Sequence, residues 1–152
     1  MRSLRDLFEE RPFAVALLVA LVLLLVPYRT LLGPGVPSGR DLLPYFYPLK
    51  THLAEALRAG EMPWIDRYRQ GGLPLLVWPG VAAFDPGNIL FVLLPTAAAA
   101  KAWMLLRVLT GAAGFAVFLR SSGLPPLSSA AGGLAWGAAG ITASAASFLG
   151  FA

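Results

Sequence analysis

The chain contains no cysteine and only one histidine, His52. Disulfide bonds and cysteine-based zinc sites are therefore excluded, as is a metal site built from several histidines. Charge is also scarce, since 13% of the residues are charged and 57% are hydrophobic, whereas a soluble domain carries about 25% charged residues. This deficit indicates a surface that largely faces lipid.

The net charge is +4, but the lysines and arginines are scattered singly along the chain. Nucleic-acid binding requires basic residues gathered on one face, so we expect no nucleic-acid partner. Anionic lipid headgroups are the simpler partner for a dispersed positive charge.

Three apolar stretches predict an all-α integral membrane protein, because a membrane-spanning helix needs about 20 apolar residues. The stretches are 12–32, 97–119 and 130–152. A cleaved signal peptide is the alternative for the first, and the lack of a small-x-small cleavage site after it disfavours that alternative. We predict that residues 1–11 and the short loop 120–129 are cytoplasmic, and that the long loop 33–96 lies outside the cytoplasm.

The third stretch is rich in small residues, with Gly133 and Gly137 four positions apart. This spacing allows a second helix to approach closely. The stretch reaches the end of the sequence without a polar flank, so we expect an amino-terminal fragment whose partners include the remaining helices of a larger protein.

Within the long loop, residues 48–59 predict an amphipathic helix that lies along the membrane surface and stops at Gly60. Its apolar face comprises Leu49, Leu53, Ala56 and Leu57. Residues 62–74 read as a loop, and 85–88 predict a turn in which Asn88 caps a short interfacial or re-entrant helix at 89–94.

The loop also contains the candidates for chemistry. Asp41 follows the first apolar stretch closely enough to act as a general base near the lipid interface. By the residues alone, a helix cap or an ion pair with Arg40 is the favoured alternative. Arg67 and Arg69 have the geometry to bind a phosphate, with solvated loop charges as the alternative. His52 is interpreted as an interfacial side chain.

Further acids leave a divalent cation open as a cofactor, although their spacing is not diagnostic. They are Glu61, Asp66 and Asp85. Asp85 precedes a proline and also suits a turn.

Arg107 is unusual because it lies inside the second apolar stretch. If that span begins at Ala97, Arg107 lies near the bilayer middle, where insertion costs about 2.5–3.5 kcal/mol. It would then meet a lipid phosphate or a carboxylate on another helix. If the span begins near Ala102, Arg107 can snorkel to the interface, with Lys101 as an anchor.

Residues 38–95 resemble the first extracytoplasmic loop of the YfhO-like bacterial membrane proteins, which belong with the GT-C superfamily of polytopic glycosyltransferases. The resemblance rests on the order of these elements: Asp41, Tyr47-Pro48, Gly60, Pro63-Trp64, Gly72-Leu73-Pro74-Leu75 and Phe84-Asp85-Pro86. The chain departs from the family at 65–67, where Asn-Pro is common, and at Asp85, where an aromatic residue is common.

The resemblance implies a multi-pass protein of the bacterial cytoplasmic membrane that transfers a sugar from a polyprenyl-phosphate carrier to an extracytoplasmic cell-envelope acceptor. Asp41 matches the position of the family's base. The predicted substrate-binding residues are Arg40, Arg67, Arg69 and Arg107. The alternative is a non-enzymatic membrane protein, namely a carrier of lipid-linked substrates, a transporter or an assembly scaffold.

Overall fold

The computed structural model describes residues 11–38, 42–66, 72–78 and 81–140, which are mostly helical. The α-helices within them are α1 (Arg11–Leu24), α2 (Arg29–Leu32), α3 (Tyr47–Arg58), α4 (Asn88–Leu93), α5 (Thr96–Ser121) and α6 (Pro126–Ala138). A π-helical turn, Leu42–Phe46, precedes α3, and two short strands, β1 (Ile65–Asp66) and β2 (Leu73–Pro74), pair antiparallel. The chain divides within α5 into two compact units. The described residues 11–33 and 105–140 form one unit, and those between 34 and 104 form the other.

Helix α5 confirms the helix predicted at 97–119, with slightly wider bounds. Its 26 residues extend for about 39 Å at 1.5 Å per residue. In the described part of the chain, it is the one helix long and apolar enough to cross a membrane, judged by length and composition. Only 22% of its most apolar window is buried, so most residues of that window are at least partly exposed.

The continuous helix predicted at 12–32 is wrong, because α1 ends at Leu24 and a turn over 25–28 separates it from α2. Pro27 explains the interruption. Its ring removes a backbone donor and collides with the carbonyl four residues earlier. The 14 residues of α1 extend for only about 21 Å, so a crossing of the bilayer by 12–32 stays a prediction.

The third apolar helix begins earlier than predicted and is also interrupted. Pro126 occupies the first turn of α6, where its fixed φ and missing donor are compatible with a helix. The helix ends at Ala138, since Ala139 has an extended conformation. The predicted span at 130–152 therefore contains a break, and its residues 141–152 lie outside the described part of the chain.

The predicted close approach at Gly133 and Gly137 is confirmed within the first unit. A Cβ atom added to Gly133 would lie 2.6 Å from the Ala112 carbonyl oxygen and 2.8 Å from the Ala116 Cβ. At Gly137 it would lie 2.6 Å from a methyl group of Leu24. The small residues of α6 thus permit contact with both α5 and α1.

We expect Gly133→Ala to lower the free energy of unfolding by about 1–3 kcal/mol, because an added methyl in a tight contact forces the backbone to shift. Gly114→Ala is the matched control, since a Cβ there meets nothing within 4 Å. Thermal unfolding of the detergent-solubilised chain, followed by circular dichroism, measures both. Equal stability of the two variants would contradict the tight contact.

The second unit has a small apolar core of its own. Leu49 and Leu53 of α3 pack with Leu75 and Val81, while the π-helical turn and α4 lie against α3. The helix predicted at 48–59 is confirmed within one residue, as is the one at 89–94. Of the predicted apolar face of α3, Leu49 and Leu53 are buried, whereas Leu57 is 39% exposed.

Gly60 ends α3 as predicted. Its φ of +72° lets the Gly60 amide donate to the Leu57 carbonyl at 3.1 Å and the Glu61 amide donate to the Ala56 carbonyl at 2.9 Å. This pair of bonds is a Schellman motif, which satisfies the last carbonyls of a helix and reverses the chain.

Gly60→Ala is expected to destabilise this helix end by about 1–2 kcal/mol, the penalty of a Cβ in the left-handed region. The added methyl meets nothing within 4 Å, so backbone strain is the whole effect. Gly35→Ala is the control, because that position is equally open and has no positive φ. Hydrogen exchange of the Glu61 amide should accelerate in Gly60→Ala only, and unchanged exchange there would contradict the motif's contribution.

Candidate functional site

Four of the five predicted site residues lie outside the described part of the chain. They are Arg40, Asp41, Arg67 and Arg69. Their proposed roles therefore stay predictions. Arg107 is described, and it is half-buried on α5.

Arg107 lies close to the middle of α5, about 16 Å from the first residue at 1.5 Å per residue. Helix α5 begins at Thr96. This start agrees with the alternative in which the span begins at Ala97 and Arg107 lies near the bilayer middle. The depth of Arg107 in a bilayer stays a prediction.

The described residues that flank the segment of Asp41 are joined by one hydrogen bond. The Tyr47 hydroxyl, at the start of α3, donates to the Pro37 carbonyl oxygen at 2.9 Å. Burial raises the pKa of Tyr47 above its usual value, so its hydroxyl stays protonated as a donor at neutral pH. Leu42 and Phe46, the first and last residues of the π-helical turn before α3, are buried. The segment that carries Asp41 therefore leads directly into an ordered helix start.

Lys50 is the most unusual described side chain in the second unit. It is 0% exposed, although lysine is almost never fully buried unless it is paired. Its Nζ donates to the Val81 carbonyl oxygen at 2.6 Å and to Asn88 Oδ1 at 2.7 Å, and it lies 5.6 Å from the centre of the Phe91 ring. These oxygens and the ring offset part of the large cost of removing an ammonium from water.

Asn88 does not cap α4 by its side chain, which corrects the prediction. Its Nδ2 donates to the carbonyl oxygens of Ala82 and Ala83 at 2.7 and 3.0 Å. Since the amide nitrogen is thus occupied, Oδ1 must face Lys50. The contact with a buried cation, rather than the helix end, determines the conformation of this side chain.

Arg58, the last residue of α3, forms hydrogen bonds with the carboxyl-terminal end of α4. Its Nε and Nη2 donate at 2.7 Å to the carbonyl oxygens of Val92 and Phe91, which α4 leaves without helical partners. A cation at a helix carboxyl end is also favoured by the helix dipole. Lys50 and Arg58 together attach α4 to α3.

The three acidic residues that left a divalent cation open, Glu61, Asp66 and Asp85, lie in different environments. The Asp85 Oδ1 accepts the Gly87 amide at 2.7 Å, which confirms the turn at 85–88. Asp66 is buried in β1, whereas Glu61 is exposed. Among the described residues, no group of three His, Cys, Asp or Glu side chains is arranged to hold a metal ion.

A cleft of about 600 Å³ opens between the carboxyl-terminal half of α3 and the segment that follows Gly60. Its lining residues are His52, Glu55, Ala56, Ala59, Glu61, Met62, Pro63, Trp64 and Ile65. The Schellman motif at Gly60 makes the cleft, because it turns the chain back alongside α3. The Leu75 amide, which donates to the Trp64 carbonyl oxygen at 2.9 Å, helps to hold the far wall.

Comparison with known proteins yields no match to a family model, a curated protein or a solved structure. The resemblance to YfhO-like proteins therefore rests on the order of the motifs in the loop.

Sequence reasoning missed both the burial of Lys50 and the cleft. Lys50 lies three and four residues before Leu53 and Ala54, which are also buried on α3. Helical spacing was therefore a signal for the burial of Lys50. The cleft depends on where the chain returns after Gly60, and side-chain spacing carries no signal for that path.

Proposed function

We propose that this chain is part of a GT-C type glycosyltransferase of the bacterial cytoplasmic membrane. The enzyme transfers a sugar from a polyprenyl-phosphate donor to an extracytoplasmic cell-envelope acceptor. Asp41 is the base, and Arg40, Arg67, Arg69 and Arg107 are the candidate contacts to the donor.

The observation that carries the proposal is that the compact loop unit leads directly into α5, the long apolar helix. The loop unit has its own core around Leu49 and Leu53, and only Leu94 and Pro95 separate α4 from α5. If α5 crosses the bilayer, the loop lies at the headgroup level. A base in this loop then has access both to a lipid-linked donor and to an acceptor in water.

Outward-facing apolar surface supports a membrane location for the first unit. Along α1, Val15, Leu18 and Val22 are each more than half exposed, and Leu106 and Phe118 of α5 are 45% and 59% exposed. Apolar surfaces of this extent are rare on soluble monomers. Lipid contact removes the energetic penalty of exposing them to water.

The chemistry requires one base and positive charge beside the leaving group. Asp41 accepts the proton of an acceptor hydroxyl while the oxygen of that hydroxyl forms a bond to the anomeric carbon of the sugar. The bond from that carbon to the phosphate oxygen breaks, and polyprenyl phosphate leaves. Arginine side chains stabilise the charge that develops on the phosphate.

A transporter of lipid-linked substrates is the second candidate, because Arg107 lies near the middle of α5. Charged residues at that depth commonly mark a substrate path. The scaffold alternative is less favoured, since the Gly133 and Gly137 positions already pack against other helices of this chain.

The test is a transfer assay on the complete product of the parent gene, purified in detergent and supplied with a panel of polyprenyl-phosphate sugars. Sugar transfer to an acceptor supports the enzyme. No transfer, together with movement of the lipid-linked sugar across liposome membranes that is lost in Arg107→Gln, would support the transporter instead.

A further inference from the structure

The cleft beside α3 has a lining whose chemistry restricts what it can bind. His52, Glu55 and Ala56 share one face of α3, since they are spaced by three and four residues, and Ala59 directly follows the helix. The small side chains of Ala56 and Ala59 leave room for a ligand, and Glu61 of the returning segment also lines the cleft. The result is an open cavity lined by one acidic residue of α3 and one of the returning segment.

The described lining of this cavity is acidic, whereas the chain as a whole is basic. Glu55 and Glu61 are the acidic residues among its described lining residues, which include no lysine or arginine, although the chain as a whole has a net charge of +4. Phosphates and other anions would be repelled here.

An aromatic ring completes the lining. Trp64 contributes to the cleft and is 63% exposed, so its ring is accessible to a ligand. Tryptophan binds cations over its face more strongly than the other aromatic side chains. Met62 and Ile65 add apolar surface at the same wall, which suits the carbon atoms of an organic cation.

We propose that this cleft binds an organic ammonium group, either the headgroup amine of a phospholipid or the amine of a small soluble molecule. The two carboxylates attract the positive charge, and Trp64 contacts the attached carbon atoms. The inference does not depend on the glycosyltransferase proposal, because it uses none of that proposal's residues.

Binding of ethanolamine to the purified full chain, measured by isothermal titration calorimetry, tests the proposal. Glu55→Gln and Glu61→Gln retain size and hydrogen bonding but remove charge. Each is expected to weaken binding about fivefold in a water-like dielectric. Trp64→Ala is expected to weaken it about two- to fivefold. Asp85→Asn and Trp78→Phe, which alter residues outside the cleft lining, should leave the affinity unchanged.

Lipid analysis distinguishes the two sources of the amine. Enrichment of phosphatidylethanolamine with the wild-type chain, lost in the Glu55→Gln/Glu61→Gln double variant, identifies a headgroup site. Ethanolamine binding with identical lipids on both proteins identifies a soluble amine. Absence of both signals would overturn the proposal, as would equal ethanolamine binding by the double variant. Glycerol binding tighter than ethanolamine binding would also overturn it, since a neutral polyol needs no charge.

Discussion

Asp41→Asn is expected to reduce sugar transfer by the complete protein by about 10²–10⁴-fold, the usual contribution of a general base. The amide is nearly the same size as the carboxylate but does not accept the acceptor's proton. The loss should appear in kcat, with the KM for the donor little changed, because the donor phosphate is bound by other groups. Initial rates at saturating donor, on protein inserted to the same level, measure the effect.

Asp85→Asn is the matched control for this substitution. It removes the same charge from the same loop, and an asparagine oxygen can still accept the Gly87 amide that Asp85 accepts at 2.7 Å. Transfer should therefore be unchanged in Asp85→Asn. A comparable loss in both variants would mean that the loop's overall charge matters, and Asp41 would no longer be the base.

Lys50→Met is expected to destabilise the loop unit by about 2–4 kcal/mol, because two buried acceptors lose a charged donor. Methionine retains most of the apolar stem, so the packing against Leu53 and Ala54 is largely kept. The Val81 carbonyl and Asn88 Oδ1, at 2.6 and 2.7 Å from Nζ, are left without it. Hydrogen exchange of amides in α3 and α4, in the full detergent-solubilised chain, measures the local free energy of opening.

A double-mutant cycle with Asn88→Ala separates the contact from general damage. Because the two side chains are bonded directly, the cycle should give a coupling energy of about 0.5–3 kcal/mol. Single effects that simply add would show that the Lys50–Asn88 bond contributes little. The Val81 carbonyl would then account for the effect of Lys50→Met.

The helices of the loop were predictable because their signals are local. The apolar spacing of Leu49 and Leu53 and the stop at Gly60 predicted α3 within one residue at each end. The apolar run after Pro95 predicted α5 in the same way. Such signals depend on side-chain period and backbone preference over a few residues.

The interruptions of the first and third apolar stretches were less predictable. A proline such as Pro27 can either kink a helix or end it, and the surrounding contacts decide which occurs. Here the Tyr28 hydroxyl donates to the Gly137 carbonyl oxygen at 2.8 Å, close to the end of α6. This bond joins the two interrupted stretches across 109 positions of sequence, and spacing within either stretch does not reveal it.

The sequence by itself determined the helical character of this protein, the positions of most helix ends and the apolar surface of α5, because these follow from neighbouring residues. Only the tertiary structure decided which cation is buried and which acids face one cleft. Lys50 is buried because oxygens 31 and 38 positions away reach its Nζ. Removing a charge from water is favourable only where such distant partners converge, and chain folding brings them together.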